Sequence, residues 1–565
     1  MIYKIADNII SPLGETTAQN YEAVKAGRTL LHRYAQYKSI PDPFVASFLT
    51  DEQWQRLTIE GMTRFESLAY HSAQQAIQTS GIDPTSPNVV FILSTTKGNI
   101  ELLESRPLES SPGTAAQHIA SALGIETTPI AVCNACISGV SAIILAMHLL
   151  ESKSYDYAVV CGADILTSFT ISGFQSLKAV SEEPCRPFDI ERLGLNLGEA
   201  AATIVFQRRE PSVPSKETWC FQTGSIRNDA FHISSPSKNG EGARLALEAT
   251  GAQQRQEKIA FVNAHGTATM FNDQMESVAI ERAGLSSLPV NALKGYFGHT
   301  LGAAGVLETI LSMVSVDDQT ILGTKGFEER GVSGKILLSA ENSQTDRQGF
   351  IKMISGFGGC NAAILVSKKE SQGQAMDRMN PVIQHHVHIT PQTVEVDGLP
   401  LDHEGEGADL LTELYKHYIG DYPKYYKMDA LCRLGFVASE LLLKAEGDRR
   451  EDFRSDRAII LFNQSSSIQA DLGYLASIQD AENYFPSPSA FVYTLPNIVT
   501  GEIAIRNHYQ GETSFYILPQ KDQQQMQQVI AASFADPATQ SMLCGWLDYQ
   551  DDAHFEASLD LKIKN

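Results

Sequence analysis

From Thr128 to Leu150 the chain runs through a short apolar segment, then Cys133-Asn134-Ala135-Cys136-Ile137-Ser138-Gly139, then a stretch that is apolar on every face. Thr128 to Val132 predicts a buried strand. Val140 to Leu150 has no polar stripe, so the helix it predicts is buried too. Cys136 then falls at a strand-to-helix elbow, beside free N–H groups and the positive end of the helix dipole, a setting that favours thiolate over thiol. Gly139 allows a tight turn there. Taken alone, the stretch fits a buried structural cysteine equally well.

The flanking sequence supplies the layers. A strand opens the chain, with a turn at Ser11-Pro12-Leu13-Gly14 and a helix from Ala18 to Ala26. Met62 to Ser80 has helical apolar spacing and stops at Gly81. Asn88 to Ser94 and Asp156 to Gly162 are buried-type strands, with a helix over Pro112 to Leu123 between them. Strands separated by helices predict an α/β chain with a mainly parallel sheet covered on both faces. A second block follows, with a buried strand at Ile259 to Asn263, His265-Gly266-Thr267 at its carboxyl end, and Lys294 and His299 ahead of a helix over Leu301 to Val314. Ligands bind at the carboxyl ends of strands in such sheets. Ser355 to Gly359 is a Gly-rich turn able to present N–H groups to an oxyanion.

With 565 residues the chain has room for several domains, and the polar stretch after Lys368 divides it. A net charge of −22 argues against nucleic acid and anionic membrane as partners. The longest apolar run is too short to span a bilayer, no signal segment is evident at the start, and eight scattered cysteines suit a reducing cytoplasm. The spacing Cys133-x-x-Cys136 lacks a redox-motif context. His385-His386-Val387-His388 reads as a strand end rather than a metal cluster, and no metal is expected.

A cysteine at a helix N-terminus with two histidines and a lysine in Gly-rich settings suggests covalent thioester chemistry. Six blocks carry a resemblance: Ala135 to Gly139; Arg186-Pro187-Phe188-Asp189 with Arg192; Gly198-Glu199-Ala200; Asn263 to Thr269 with Asn272-Asp273; Lys294 to Gly305; and Gly356 to Gly359. In these the chain resembles the elongating, decarboxylating β-ketoacyl-acyl-carrier-protein synthases. The resemblance implies a thiolase-like fold of duplicated mixed-sheet α-β-α-β-α layers over 1–368, with halves of about 1–209 and 210–368. It implies Cys136 as nucleophile, His265 and His299 as the decarboxylation pair, and Lys294 with Glu308 as a supporting charged pair. Asp273 and Glu276 become carboxylates behind the site, and Cys136, Phe357 and Gly358 the oxyanion and gate positions. No cofactor is expected beyond the phosphopantetheine of an acyl carrier protein partner. A homodimer, or a pair with a related subunit, is implied.

Residues 369–382 read as a linker, and 383–565 as a half-ketosynthase α/β domain. Lys427 to Leu443 echoes the Met62 helix, Ala458 to Ser466 echoes Val89 to Lys97, and Tyr493 to Ile505 echoes Ala131 to Ile143. That alignment sets Ile498 on Cys136, so the second part is expected to lack a nucleophile. Lys424 and Lys427 stand where the family often meets its acidic carrier. Competing assignments are a thiolase or initiating synthase, which would replace His299 by asparagine in the initiating case, and a noncatalytic chain-length or scaffold role for the C-terminal part.

Overall fold

The computed structural model describes residues 1–38, 40–208, 218–368, 381–447, 452–480, 483–534 and 536–564. Most of the expected linker, 369–380, lies outside them.

Five strands form the first sheet: β1 (Ile2–Ile10), β2 (Val89–Ser94), β3 (Ile130–Val132), β4 (Tyr157–Asp164) and β5 (Ala200–Gln207), in the order β1-β5-β4-β2-β3. The pairs around β2 are parallel, whereas β1–β5 and β4–β5 are antiparallel, so the sheet is mixed rather than mainly parallel. The second sheet holds β6 (Cys220–Asn228), β7 (Ile259–Asn263), β8 (Val290–Asn291), β9 (Gly349–Gly356) and β10 (Cys360–Ser367), ordered β8-β7-β9-β10-β6.

Helices cover these sheets on both faces. Outside the first sheet lies α1 (Arg64–Ser80), opened by a Thr63–Glu66 capping box and closed by left-handed Gly81. Buried between the sheets are α3 (Ser138–Glu151), preceded in the chain by α2 (Pro112–Ala122), and α5 (Ala304–Asp317); α4 (Met270–Arg282) lies on the far side. The missing polar stripe of α3 thus has its cause, since both faces meet a sheet. Gly139 serves this layer more than the turn: a Cβ there would sit 2.9 Å from the Val306 amide of α5.

The C-terminal strands repeat the first order. They are β11 (Val382–Ile389), β12 (Arg457–Asn463), β13 (Thr513–Ile517), β14 (Ser541–Asp551) and β15 (His554–Ile563), arranged β11-β15-β14-β12-β13 with parallel pairs again flanking the central strand. Helix α6 (Ala430–Glu446) matches α1 in length and ends, with Asp429 capping its start and left-handed Gly447 its finish. Helix α7 (Ile498–Asn507) precedes β13 as α2 precedes β3, and α8 (Gln523–Ser533) follows β13 as α3 follows β3. The two sheets join edge to edge: β13 pairs antiparallel with β3 through Tyr516–Val132 and Ile517–Ala131, and α8 packs on α3.

This topology corrects the placement of Ile498. The element leading into it is not a strand but a helix over Pro488–Tyr493, with Ser487 accepting from the Ala490 amide and Pro488 in the first turn. Apolar Phe491 to Leu495 imitates a strand only if those start signals are overlooked. Cys136 stands four residues past the end of β3 and two before α3. The residue so placed after β13 and before α8 is Lys521.

Along β15, Phe555, Ala557, Leu559 and Leu561 are buried on the α6 side, while Glu556, Ser558, Asp560 and Lys562 face the other way, half-buried. There His386 Nδ1 meets Asp560 (2.7 Å) and His388 Nε2 meets Glu556 (3.2 Å), and His385 Nδ1 meets Asp397 (2.8 Å). No described helix is long and apolar enough to cross a membrane.

Candidate active site

Cys136, His265 and His299 reach one point from three loops, each at an end of a buried element. One ligand atom from each lies within 4.8 Å of the others, and the two imidazoles stand edge to face with centroids 4.9 Å apart. All three are buried. Each loop also holds a non-glycine residue in left-handed backbone: Ala135 (φ 48°), Ala268 (φ 61°) and Leu301 (φ 53°). Such conformations cost about 1–3 kcal/mol and persist where the surroundings impose them.

The elbow is held from both parts of the chain. Ser138 Oγ accepts from the Asn134 amide and donates to the Ala135 carbonyl. Asn134 Oδ1 accepts the Phe515 amide of β13 (2.7 Å). Burial pushes the Cys136 thiol up to about 12, with Lys294 opposing it. The expected thiolate is therefore corrected: desolvation outweighs the short 3₁₀ turn that here replaces a full helix N-terminus beneath the sulfur.

Both histidines are pushed well below their ordinary value, first by burial and then by the Lys294 and Lys352 ammonium groups, so they are neutral near pH 7. His299 Nδ1 accepts the Leu301 amide (3.2 Å), which leaves its proton on Nε2. That nitrogen, buried, has no protein partner among the described residues, and neither does the buried Nδ1 of His265.

A charged cluster lies behind them. Lys294 Nζ donates to Glu308 Oε1 (2.8 Å) and to the His265 carbonyl (2.6 Å), and Lys352 Nζ pairs with Glu308 Oε2. Burial would raise the Glu308 carboxyl, but the two lysines hold it below the ordinary range. Lys352, pushed down by burial to about 8, is absent from the sequence expectations. Its signal was a lone charge inside the apolar strand β9. Asp273 accepts the Phe188 and Ala268 amides, and Glu276 accepts those of His265 and Gly266. Burial raises these carboxyls to about 6 and about 7. They brace the histidine turn rather than face the cavity.

The Gly-rich turn closes the site. Phe357 stacks on Phe174 (6.2 Å), and Phe357 and Cys136 line the same cavity of about 420 Å³. Nothing among the described residues accepts from the Phe357 amide. The Gly358 amide, by contrast, donates to the Ile233 carbonyl (2.6 Å), so it is committed to the turn and is no oxyanion donor. The cavity opens past Leu193 and Phe271, with Phe231 exposed nearby. The sequence reasoning missed the loop from Asn228 to Gly240, which brings His232 to the wall. Cys360 is buried and its thiol donates to the Phe357 carbonyl (3.1 Å).

The histidine–cysteine trio does not suit a cation. His299 presents a proton, not a lone pair, and two ammonium groups stand close by.

Lys424, expected to be free for docking, is instead paired with Glu502 (2.8 Å), a fully buried carboxylate that also accepts from Tyr493 OH. Lys427 is exposed.

Comparison with known proteins gives a consistent set of relatives. The family model described as the β-ketoacyl synthase N-terminal domain matches residues 9–212, and that of the β-ketoacyl synthase C-terminal domain matches 220–328. A 3-oxoacyl-[acyl-carrier-protein] synthase 2 of Vibrio cholerae is 27% identical over 401 residues, covering 64% of this chain and 97% of the relative. The crystal structure of a β-ketoacyl synthase from Burkholderia phymatum superposes with a TM-score of 0.57 at 23% identity, covering 65% of this chain and 99% of that one. A structure described as the PfaC keto synthase–chain length factor covers 100% of this chain and 78% of its own, with a TM-score of 0.74 at 12% identity. The last two comparisons speak to fold alone.

Proposed function

The chain belongs to the β-ketoacyl synthase family of acyltransferases, and from that premise we propose how its residues divide a decarboxylative condensation between acyl carrier thioesters. The observation that carries the assignment is the convergence of Cys136, His265 and His299 within 4.8 Å.

In the first half-reaction the Cys136 sulfur attacks the carbonyl of an incoming acyl thioester. The thiol is protonated at rest, so its proton must leave as the C–S bond forms. His299 is committed as a donor, whereas His265 Nδ1 is uncommitted, so His265 takes the proton and returns it to the departing carrier thiolate. The tetrahedral oxyanion is held by the Cys136 and Phe357 amides; one such donor is typically worth about 3 kcal/mol.

In the second, malonyl thioester enters and its C–C bond to the carboxylate breaks, releasing carbon dioxide and leaving an enolate. Two imidazole N–H donors aimed at the enolate oxygen stabilise it more than the ground-state carbonyl. The carbanion displaces Cys136 from the acyl group, giving a β-ketoacyl thioester, and the thiolate takes a proton from solvent. Burial first, then Lys294 and Lys352, keeps both rings neutral, which this role needs. Asp273, Glu276 and Glu308 hold the loops in place.

The partner is an acyl carrier protein whose phosphopantetheine arm enters past Leu193, Phe231 and Phe271. The C-terminal part has a noncatalytic role. Lys521 stands where a nucleophile would, paired with Glu556 (2.8 Å), and Phe491 presses on Gly173 and Phe174 at the inner wall of the site. That position suits a limit on acyl length. Cys360, bonded to Phe357, argues against a thiolase, and His299 against an initiating synthase.

Intact mass after exposure to acyl-carrier thioesters of graded length tests the assignment. Cys136→Ala should gain no stable adduct, His299→Ala should acylate but fail to release carbon dioxide from malonyl carrier, and His265→Ala should be slowed in both half-reactions. An adduct on Cys136→Ala would sink the proposal.

A further inference from the structure

We propose that Asn497, at the start of α7, is a positioning residue for the Phe357–Gly359 turn and, through it, for the oxyanion donor facing Cys136. The proposal rests on the assignment of Cys136 as nucleophile.

The turn cannot hold itself. Gly358 (φ 89°) and Gly359 (φ 72°) are both in left-handed backbone, and adjacent glycines bring wide conformational freedom. Its shape therefore comes from what grips it. The Gly358 peptide is gripped from within the first part, by the Ile233 carbonyl and by Asn228 Nδ2 on the Gly358 carbonyl (2.8 Å). The Phe357 carbonyl has two donors: the Cys360 thiol, a weak one, and Asn497 Nδ2 at 2.9 Å. Asn497 comes from 140 residues further along the chain.

The fit is close. A Cβ on Gly358 would lie 2.7 Å from Asn497 Nδ2, and a Cβ on Gly501, one turn into α7, would lie 2.7 Å from the Gly358 carbonyl. Helix α7 thus meets the turn backbone to backbone, with Asn497 as its one polar hand. Asn497 is 2% exposed, and its Oδ1 has no partner among the described residues, so its polar contacts are those of the amide nitrogen. Fixing the Phe357 carbonyl fixes ψ at Phe357. With the ring also stacked on Phe174, the residue that carries the oxyanion amide is held at its carbonyl and at its side chain.

The test uses the full chain with Asn497→Asp, an isostere without donors, and Asn497→Ala. Three quantities are compared with wild type: acyl transfer to Cys136 from a carrier-free acyl thioester, alkylation of Cys136 by iodoacetamide, and Tm. Alkylation displaces iodide at a saturated carbon and builds no oxyanion. The expected result is acyl transfer slowed about ten-fold or more in both variants, below the 10²–10³-fold ceiling for losing such a donor outright, with alkylation unchanged and Tm lowered but still above the assay temperature, most in Asn497→Asp, whose buried carboxylate lacks a partner. Should Asn497→Asp fail to fold, Asn497→Ala carries the comparison. Wild-type acyl transfer in a folded variant overturns the proposal, as does a parallel fall in acylation and alkylation, which would mark a merely structural residue. Failure of wild type itself to acylate would instead overturn the assignment of Cys136.

Discussion

Lys97 offers a direct measure of how firmly the two parts of the chain are joined. Its ammonium is buried between Asp471 Oδ1 (3.2 Å) and the Thr494 carbonyl, both from the C-terminal part, and lies 5.3 Å over the Phe169 ring. Burial pushes Lys97 down and Asp471 up, while the charge of each opposes that push on the other, so the pair is charged together. Lys97→Met keeps the stem and removes the charge. The Thr494 carbonyl keeps a donor in Ser467 Oγ (2.7 Å), so the loss is confined to the ion pair. Breaking a buried pair from one side costs about 3–5 kcal/mol. Unfolding entropy of about 2.1 cal/mol/K per residue, taken over 565 residues, converts the middle of that range to a fall in Tm of about 3 °C. The orphaned Asp471 would have a folded-state pKa above its unfolded one. Its penalty therefore grows as pH rises and is relieved as pH falls, so the gap from wild type should narrow between pH 8 and pH 5. Replacing both residues, with Asp471→Leu added, should recover most of the loss. Thermal unfolding of the four proteins at two pH values completes the cycle. If the single effects simply add, within about 0.5 kcal/mol, the pair is not coupled and the argument fails.

Other outcomes follow from the same contacts. Alkylation of resting Cys136 should quicken by about ten-fold per pH unit from pH 7 to 10, because a thiol near 12 has no plateau there; a plateau below pH 8 would show a pre-formed thiolate. Gly173→Ala should destabilise by about 1–3 kcal/mol, since its Cβ would lie 2.1 Å from Phe491, and Phe491→Ala should relieve it; no rescue would mean that the contact is not the cause. Asp560 raises the His386 pKa, so that pair stabilises below pH of about 6.5 and loses its effect as pH rises through the folded-state value. His386→Gln, half-exposed as the pair is, should cost about 0.5 kcal/mol at pH 5.5 and nothing at pH 8.5, by urea unfolding.

The sequence carried the local elements well because each announces itself locally. Thr63, Glu66 and Gly81 bracket α1, and Ile259 to Asn263 is apolar throughout. His265 and His299 were legible because each follows a recognisable strand or precedes a glycine-marked helix. What it hid is long-range. Lys352 meets Glu308 44 residues away, and Asn497 meets Phe357 across 140. Neither partnership leaves a trace in local spacing. Ile498 differs for another reason: glycine and alanine spacing in one helix can imitate that in another, and the Ser487-Pro488 helix start together with strand order tells them apart. The Cys136 thiol was misjudged because a dipole can be inferred from sequence, whereas the depth of burial that outweighs it depends on every layer around it.

The antiparallel seam between β3 and β13 has a further consequence. Two separate chains meeting along such an edge would part on dilution, in proportion to their dissociation constant. Here both edges belong to one polypeptide, so their meeting is a ring closure governed by an effective concentration that no dilution changes. The Asn497 and Phe515 contacts to the site are thereby present in every folded molecule, in fixed one-to-one proportion, however scarce the protein becomes.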